Sequence, residues 1–137
     1  MALKGKDSAK QKIRASGNKL VRALALEGVR RIVMRTPVDK GHARANWNVA
    51  VGQPDRSITE GNDAGGGSTV SRGTQVVLGD FQAGQRLFIT NAVDYVDELE
   101  NGSSRQAPEG MVRVTAEELR PMTTQIIAKI AAGADGV

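Results

Sequence analysis

The spacing of hydrophobic positions predicts a long helix near the start of the chain. From Gln11 to Met34, apolar residues recur largely at intervals of three, four and seven, which is the period of one helix face. Basic side chains occupy much of the remainder. Thr36-Pro37 is expected to end this helix, because the residue before a proline is disfavoured in the α region. Residues 1–10 are polar and lysine-rich without a period, so we expect a flexible N-terminal arm there.

Two later segments show the pattern of short strands. Residues 46–51 at first alternate polar and apolar side chains, with Trp47, Val49 and Val51 on one face, which indicates a half-buried strand. Residues 86–91, RLFITN, are rich in β-favouring side chains and predict a second strand. Residues 69–80 fit either a strand, by propensity, or a short amphipathic helix, by the placement of their apolar residues.

A long polar loop follows the first predicted strand. Residues 53–67 have no period of their own, and loops beyond about 12–15 residues are usually functional or disordered. The run Gly65-Gly66-Gly67-Ser68 has no following Lys-Ser/Thr pair, so it is not a phosphate-binding loop. We interpret this run as a flexible tip.

The last third of the chain predicts a short helical turn and a second long helix. Residues 94–100, DYVDELE, place Tyr95, Val96 and Leu99 inward and four carboxylates outward. The C-terminal helix is expected to begin near Gly110 or at Thr115, where Thr115 and Glu118 have the spacing of a capping box. Pro121 conflicts with a start at Thr115 and predicts either a kink near residue 120 or a start closer to Arg120.

These elements predict one α+β domain over residues 11–133, with residues 134–137 as a short tail. A small antiparallel sheet is flanked by a long N-terminal helix and a C-terminal helix, with the long glycine-rich loop at 53–67. Aromatic residues are only 3% of the chain, so the core has to be aliphatic. Cysteine is absent, which excludes disulfides, thiolate zinc sites and cysteine nucleophiles. The chain has no apolar run near the roughly 20 residues of a membrane span, and its start lacks a signal-peptide apolar region. We therefore expect no membrane association and synthesis in a cytoplasm.

Charge is distributed unevenly along the chain. Residues 1–44 carry twelve Lys/Arg against three acidic residues, a net of +9, whereas residues 45–137 carry seven against twelve, a net of −5. Such asymmetry suggests a nucleic acid or an oppositely charged protein surface, including that of an identical subunit. The basic helix suits phosphate contacts, but no exposed aromatic residues or recognition motif accompany it. Non-specific DNA contact is therefore the form of nucleic-acid binding that remains open.

The sequence offers no catalytic constellation. His42 is the only histidine, so it has no histidine partner for a metal site, and we assign it a surface or turn role. The carboxylates of Asp94, Asp97, Glu98 and Glu100 lack the glycine-bounded loop and additional oxygen ligands of calcium or magnesium sites. Asp39-Lys40-Gly41 is typical of a turn, in which the Asp side chain hydrogen-bonds to its own backbone. We expect no catalytic, metal or cofactor site, and a structural component in place of an enzyme.

Two separated segments resemble a known family when they are taken together. RIVMRTPVDKGHARANWNVAVG (31–52) resembles the helix–TPVDTGRARANW–strand unit of tailed-bacteriophage neck and tail-completion proteins. LFITNAVDYVDELENGSSRQAPEGMVRVTAEE (87–118) resembles the later unit of that family, in which a Thr-Asn strand end precedes a Leu-Glu-Asn-Gly-Ser-Ser stretch and Ala-Pro-x-Gly-Met-Val opens the last helix. Lys40 and His42 stand where Thr and Arg are common, and Asn91-Ala92-Val93-Asp94 replaces Asn-Asn-aliphatic-Pro. In relatives the segment before the second strand is often helical, which favours a helix at 69–80.

The resemblance implies a non-enzymatic virion protein, assembled in the host bacterial cytoplasm, that forms a ring around the DNA channel between head and tail. Its implied partners are further copies of itself, the head connector or adaptor, and the tail terminator or tail tube. A hexamer is the expected ring, with a dodecamer as the alternative, and the lumen offers non-specific contact with genomic DNA. The alternatives are a minor tail component that does not touch the head side, and a small DNA-binding or packaging accessory protein.

Three groups of residues follow as candidates. The structural corner consists of Thr36, Pro37, Asp39, Gly41 and Trp47. The candidate subunit interface sets Arg22, Arg30 and Arg31 of the first helix against acidic residues Asp94, Asp97, Glu98 and Glu100 of the next subunit. The candidate docking loop, expected to become ordered only on assembly, is represented by Asp55, Arg56, Gly65, Gly66 and Gly67.

Overall fold

The computed structural model describes residues 2–133, and the side chains of residues 8–133. Its helices and strands, in chain order, are α1 (Ala2–Arg35), α2 (His42–Ala45), β1 (Asn48–Val51), α3 (Gly67–Asp80), β2 (Leu87–Thr90), α4 (Val96–Glu100) and α5 (Val112–Ala131). This arrangement confirms the predicted α+β class, with a two-stranded antiparallel sheet and long helices at both ends of the described chain. The predicted tail at 134–137 lies outside the described residues.

α1 is longer than the sequence pattern predicted. It begins at Ala2, so residues 2–10, expected as a flexible arm, form its first turns. The segment lacks proline and β-branched residues and is rich in Lys and Ala, which are good helix formers. The side chains from Ser8 to Ser16 are all exposed. We call Ser8–Ser16 the projecting end of α1.

The sheet consists of β1 and β2 in antiparallel register, with Asn48 opposite Thr90 and Val51 opposite Leu87. Both strands fall within the segments predicted for them. Because side chains alternate between the two faces of a strand, Val49 and Val51 share a face with Leu87 and Ile89. All four side chains are packed against the buried core.

Residues 69–80, which fitted either a strand or a helix, belong to helix α3. Val77 is buried and Val70 is packed against the core. Gly73 lets α3 approach closely, since a Cβ atom there would lie 2.9 Å from side-chain methyl groups of both Val29 and Val49. Apolar contacts spaced at helical intervals therefore outweigh the strand propensity of the segment.

α5 begins at Val112, and the capping-box prediction at Thr115 is wrong. Thr115 is buried inside the helix, where its hydroxyl accepts a hydrogen bond from Arg35 Nη1 at 2.9 Å. Glu118 forms ion pairs with Arg31 and Arg35 of α1. The start suggested near Arg120 is also wrong, because the helix continues through Pro121. Long-range pairing with α1 uses the two side chains that the local pattern assigned to a cap.

The core lies between α1, α3, β1 and the segment that leads into α5. Its buried members are aliphatic apart from two aromatic rings, in accord with the composition. They are Ala25, Val29, Ile32, Val33, Trp47, Val77, Phe81, Ala107 and Met111.

Candidate functional site

The corner, residues 36–47, begins with a buried threonine that joins the end of α1 to the only tryptophan. The Thr36 hydroxyl donates a hydrogen bond to the carbonyl oxygen of Ile32 at 2.7 Å. The same hydroxyl oxygen accepts the indole N–H of Trp47, also at 2.7 Å. Thr36 is 0% exposed and Trp47 4%. One hydroxyl therefore satisfies two buried polar groups and fixes the first strand against the long helix.

Gly41 forms the tightest point of the corner. Its carbonyl oxygen accepts hydrogen bonds from the N–H groups of Ala45 at 3.0 Å and Asp63 at 2.9 Å. Its φ angle is +90°, and a Cβ atom would lie 2.7 Å from the Cα of Ala64. Only glycine fits this combination of left-handed backbone and close approach. The side chain of Asp39, expected to cap this turn, is exposed, and the helix that follows has no side-chain cap.

Arg44 and Asn46, which the sequence reasoning did not select, fasten the corner to the long loop. The Arg44 guanidinium donates to the carbonyl oxygens of Met34 and Thr36, both at 2.9 Å, and of Ala64 at 2.8 Å. The Asn46 amide accepts the N–H of Thr59 at 2.7 Å and donates to its carbonyl at 3.1 Å. Partial burial lowers the pKa of Arg44, which still stays charged at neutral pH. No periodic pattern marks either residue.

The end of the loop at 53–67 is hydrogen-bonded to the start of α3, where a flexible tip was expected. Asp63 accepts the N–H groups of Gly66 at 3.0 Å and Thr69 at 2.8 Å through its two carboxylate oxygens. The bond from Thr69, opposed by partial burial, lowers the pKa of Asp63. Gly66 is buried at the N-cap of α3, and Gly67 is the first residue of that helix. The glycine run thus starts a helix.

The beginning of the loop is held by side chains of both strands. Asn48 donates to the carbonyl oxygens of Asp55 at 3.1 Å and Ser57 at 2.8 Å. The hydroxyl of Thr90 also donates to the Asp55 carbonyl. Arg56 and Gly65 are exposed, whereas Gly66 is buried, so the candidate docking residues do not all lie on the surface.

A cleft of about 510 Å³ opens beside the corner, and we call it the corner cleft. Pro37, Val38 and Ala43 contribute its apolar surface on the corner side, and Tyr95 and Leu99 contribute the surface on the α4 side. Gln106 closes one wall, since its amide accepts the N–H of Val38 at 2.8 Å and donates to its carbonyl at 3.0 Å. The remaining lining residues are polar: Asp39, Lys40, Gly41, His42, Asn62 and Ser104.

The basic residues of the candidate subunit interface have partners within the chain. Arg22 donates to the carbonyl oxygen of Phe81 at 2.7 Å. Arg30 pairs with Glu27 at 2.8 Å. Arg31 pairs with Glu27 at 3.0 Å and with Glu118 at 2.8 Å. These contacts do not abolish the charges, but they direct Arg22 and Arg31 to groups on other elements, whereas Arg30, whose side chain is 54% exposed, pairs with Glu27 on the same helix. A count of charges along a sequence does not reveal pairs separated by 87 residues, as Arg31 and Glu118 are.

The acidic half of that candidate interface divides into two groups. Asp94, Asp97 and Glu98 are exposed around α4, beside the corner cleft. Glu100 is instead half-buried and accepts the N–H groups of Met111 at 3.1 Å, Val112 at 2.8 Å and Arg113 at 3.1 Å. Burial alone would raise the pKa of Glu100, but these three donors outweigh it and hold the pKa below its usual value. Glu100 therefore provides the N-terminal cap that Thr115 was expected to provide.

Glu118 is the most strongly perturbed carboxylate among the described residues. The guanidinium of Arg35, followed by that of Arg31, lowers the pKa of Glu118 from 4.5 to about 2. Its side chain is 34% exposed, so solvent screens part of this attraction. Arg31, Arg35 and Glu118 join the C-terminal end of α1 to α5, and their ion pairs hold the two helices together.

The described residues contain no group of three or more His, Asp or Glu side chains placed to hold a metal ion. His42 Nδ1 lies 3.2 Å from the carbonyl oxygen of Gly61, at the junction of corner and loop. Within the same residues, every buried side-chain nitrogen or oxygen has a hydrogen-bond partner. The described helices include none that is long and apolar enough to cross a bilayer.

No protein-family model matches the chain, no curated protein matches it, and no solved structure matches it.

Proposed function

We propose that this chain is a non-enzymatic structural protein of a tailed bacteriophage, forming a ring in the neck that joins the head connector to the tail around the DNA channel. The observation that carries the proposal is the mutual packing of the two segments that resemble neck proteins, 31–52 and 87–118. Their strands pair in register. Asn91 donates to the carbonyl oxygen of Ala43 at 2.8 Å, and Gln106 binds both backbone groups of Val38.

An assembly role requires surfaces that other subunits can cover, and the subunit exposes hydrophobic side chains that are accessible for this. Several large hydrophobic side chains are exposed at separate places: Ile13, Met34, Ile58, Leu78, Tyr95, Val112 and Ile127. Scattered exposed hydrophobic residues are normal on a monomer, but subunits of a closed ring need two different complementary surfaces. A hexamer is the proposed ring, with the connector or adaptor on one side and the tail terminator or tail tube on the other.

The long loop is the proposed contact to a neighbouring ring. Its backbone is held by Asn46, Asn48 and Asp63, while Arg56 and Ile58 point outward as exposed side chains. A preformed loop loses less conformational entropy on docking than one that has to order. The contact is therefore proposed as a rigid docking feature.

The second candidate is a DNA-binding accessory protein, and the exposed Lys10, Lys12 and Arg14 favour it. Contacts between basic side chains and phosphates make affinity fall steeply with salt. That function requires the isolated chain to bind duplex DNA with such a salt slope, whereas the neck function requires no affinity before assembly. A filter-binding or fluorescence titration at 50 and 200 mM salt separates the two.

The neck role is tested by blocking expression of this gene during infection and viewing the lysate by electron microscopy. DNA-filled heads beside separate full-length tails are expected. Wild-type protein supplied in trans should restore joined particles, and a Gly41→Val variant, which blocks the corner, should not. Intact particles with normal tails in the depleted lysate would overturn the proposal.

A further inference from the structure

The projecting end of α1 is an element without a covering surface. Lys10, Lys12 and Arg14 are exposed, and none of them forms an ion pair with a side chain that the structure describes. Ile13 lies among them and is 72% exposed, the largest fraction among the described large hydrophobic residues. Helices in proteins gain most of their stability from tertiary packing of one face. The projecting end is therefore suited to a partner that offers negative charge around an apolar depression.

The corner cleft and α4 together offer such a surface. Pro37, Val38 and Leu99 give the cleft an apolar lining, and Tyr95 stands at its edge with 37% of its surface exposed. Asp94, Asp97 and Glu98 are exposed beside it. None of these three carboxylates pairs with a basic side chain among residues 8–133. Asp39 and Lys40 carry opposite charges on the corner side of the cleft, so the excess of negative charge lies on the α4 side.

The two surfaces cannot meet within one chain. Ile13 and Arg35 are 22 residues apart on one continuous helix, which corresponds to about 33 Å along its axis. The cleft lies beyond the C-terminal end of that helix, because Pro37 and Val38 line it. The basic residues in between, Arg22, Arg30 and Arg31, are turned to partners inside the subunit. The basic side chains of the projecting end and the exposed carboxylates around α4 therefore lie too far apart to pair within one subunit.

We propose that the projecting end of α1 docks on the corner cleft and α4 of a second copy of this chain. Ile13 enters the cleft at the apolar side chains beside Tyr95, and Lys10, Lys12 and Arg14 face Asp94, Asp97 and Glu98 of the receiving copy. The contact joins two different surfaces, so each subunit both gives and receives, and repetition produces a ring where the rotation closes. The inference rests on the proposed function only for closure into a ring; the pairwise contact stands without it.

Charge reversal on each side tests the contact. One variant carries Lys10→Glu, Lys12→Glu and Arg14→Glu, and the other carries Asp94→Lys, Asp97→Lys and Glu98→Lys. Wild-type protein is expected to self-associate in sedimentation velocity at 100 mM salt, and more weakly at 500 mM. Each variant alone should associate at least tenfold more weakly. An equimolar mixture should associate again, because the acidic helix of one variant meets the basic α4 of the other.

Matched controls change the same number of charges elsewhere on the exposed surface. Arg86→Glu, Arg120→Glu and Lys129→Glu together, or Asp80→Lys, Glu109→Lys and Glu117→Lys together, should leave association within about twofold of wild type. Ile13→Ala should weaken it about tenfold, whereas Ile127→Ala, at a side chain 49% exposed on α5, should not. Thermal unfolding of all variants checks that each one is folded.

Three results would overturn the inference. They are a wild-type chain that stays monomeric at 200 μM, reversal variants that associate as wild type does, and folded variants whose mixture does not associate. A projecting-end variant that loses duplex DNA binding while keeping self-association would assign this helix to DNA instead. The infection experiment separates the two proposals. If the reversal variants restore joined particles, the proposed contact is wrong and the neck role is supported. Normal particles in the depleted lysate would contradict the neck role, and sedimentation would then decide on the contact alone.

Discussion

The corner and the projecting end of α1 differ in how far their polar and apolar side chains are covered by the rest of the subunit. In the corner, Thr36 and Trp47 are buried and hydrogen-bonded to each other, and Arg44 binds backbone carbonyls on two sides. At the projecting end, every described side chain from Ser8 to Ser16 is exposed, including Ile13. The groups of the first region are covered within one chain, whereas those of the second are not covered by any part of the chain that the structure describes.

This difference separates the part of the sequence that specifies the subunit from the part that specifies its contacts. A change in the corner removes satisfied buried contacts, so its effect appears in the stability of the monomer. A change at the projecting end removes no described contact between elements, so its effect appears in association. Four substitution experiments test this difference between the corner and the projecting end.

Gly41→Val is expected to have the largest effect, a loss of about 4 kcal/mol or more in the free energy of unfolding, because the side chain would overlap the backbone at Ala64 in a left-handed conformation. Urea denaturation followed by tryptophan fluorescence measures it. Gly52→Ala is the control: Gly52 also has φ +90°, but nothing lies within 4 Å of its Cβ position, so only about 1–2 kcal/mol should be lost. Equal losses at both positions would mean that the loop at Ala64 yields and that the corner is not rigid.

Removing the hydrogen bond between Thr36 and Trp47 should have the next largest effect on stability. Thr36→Val should cost about 1–3 kcal/mol, since it leaves the buried indole N–H without an acceptor. In the Trp47→Phe background the same change should cost less, by at least about 0.5 kcal/mol, because no donor remains. This double-mutant cycle is read from urea unfolding followed by circular dichroism, since one variant lacks the tryptophan. Full additivity would contradict a direct coupling between the two side chains.

The sequence predicted the end of α1 and the position of β1, on either side of the corner, because their signals are local. Thr36-Pro37 marks the end of α1, and alternating residues mark β1. The cap of α5 could not be predicted in the same way, because Glu100 binds N–H groups about a dozen positions further along the chain, which a local pattern does not connect. Thr115 and Glu118 matched the local capping pattern, yet both face α1.

The candidate assembly residues show the same limit. The charge count correctly identifies a basic first half, but it does not distinguish Arg31, paired with Glu118, from Lys12, which faces solvent. A run of three glycines suggested flexibility, whereas the Asp63 side chain, two residues before the run, binds the N–H of Gly66 where α3 begins. Local sequence predicts which segments are helix, strand or turn; tertiary pairing decides which charges remain for a partner.

Acid should weaken the link between the corner end of α1 and α5 through Glu118. Its pKa in the folded chain, about 2, lies below the ordinary 4.5, so the stabilisation by Arg35 and Arg31 is fully present above pH 4.5 and is lost as pH falls toward 2. Glu118→Gln should therefore be less stable than wild type at pH 7, and the difference should vanish near pH 2. Thermal unfolding between pH 2 and 7 provides the comparison, with Glu117→Gln as the control, since Glu117 is an exposed neighbour without an ion pair among the described residues. A constant difference across that range would assign the loss to packing.

The smallest effect on the monomer is expected at the projecting end, where it is most informative. Ile13→Ala should change the free energy of unfolding of dilute protein by less than about 0.5 kcal/mol, because Ile13 is already 72% exposed. Ile32→Ala, the same substitution on the same helix at a side chain 6% exposed, should cost about 2–5 kcal/mol. Hydrogen exchange adds the complementary readout: amides of Ser8–Ser16 should exchange much faster than those of Val29 and Val33 in dilute protein, and become protected at concentrations where the chain associates. Protection of Ser8–Ser16 in the monomer would show that the projecting end is already stabilised within one chain. The corner and the projecting end would then differ only in how stable they are.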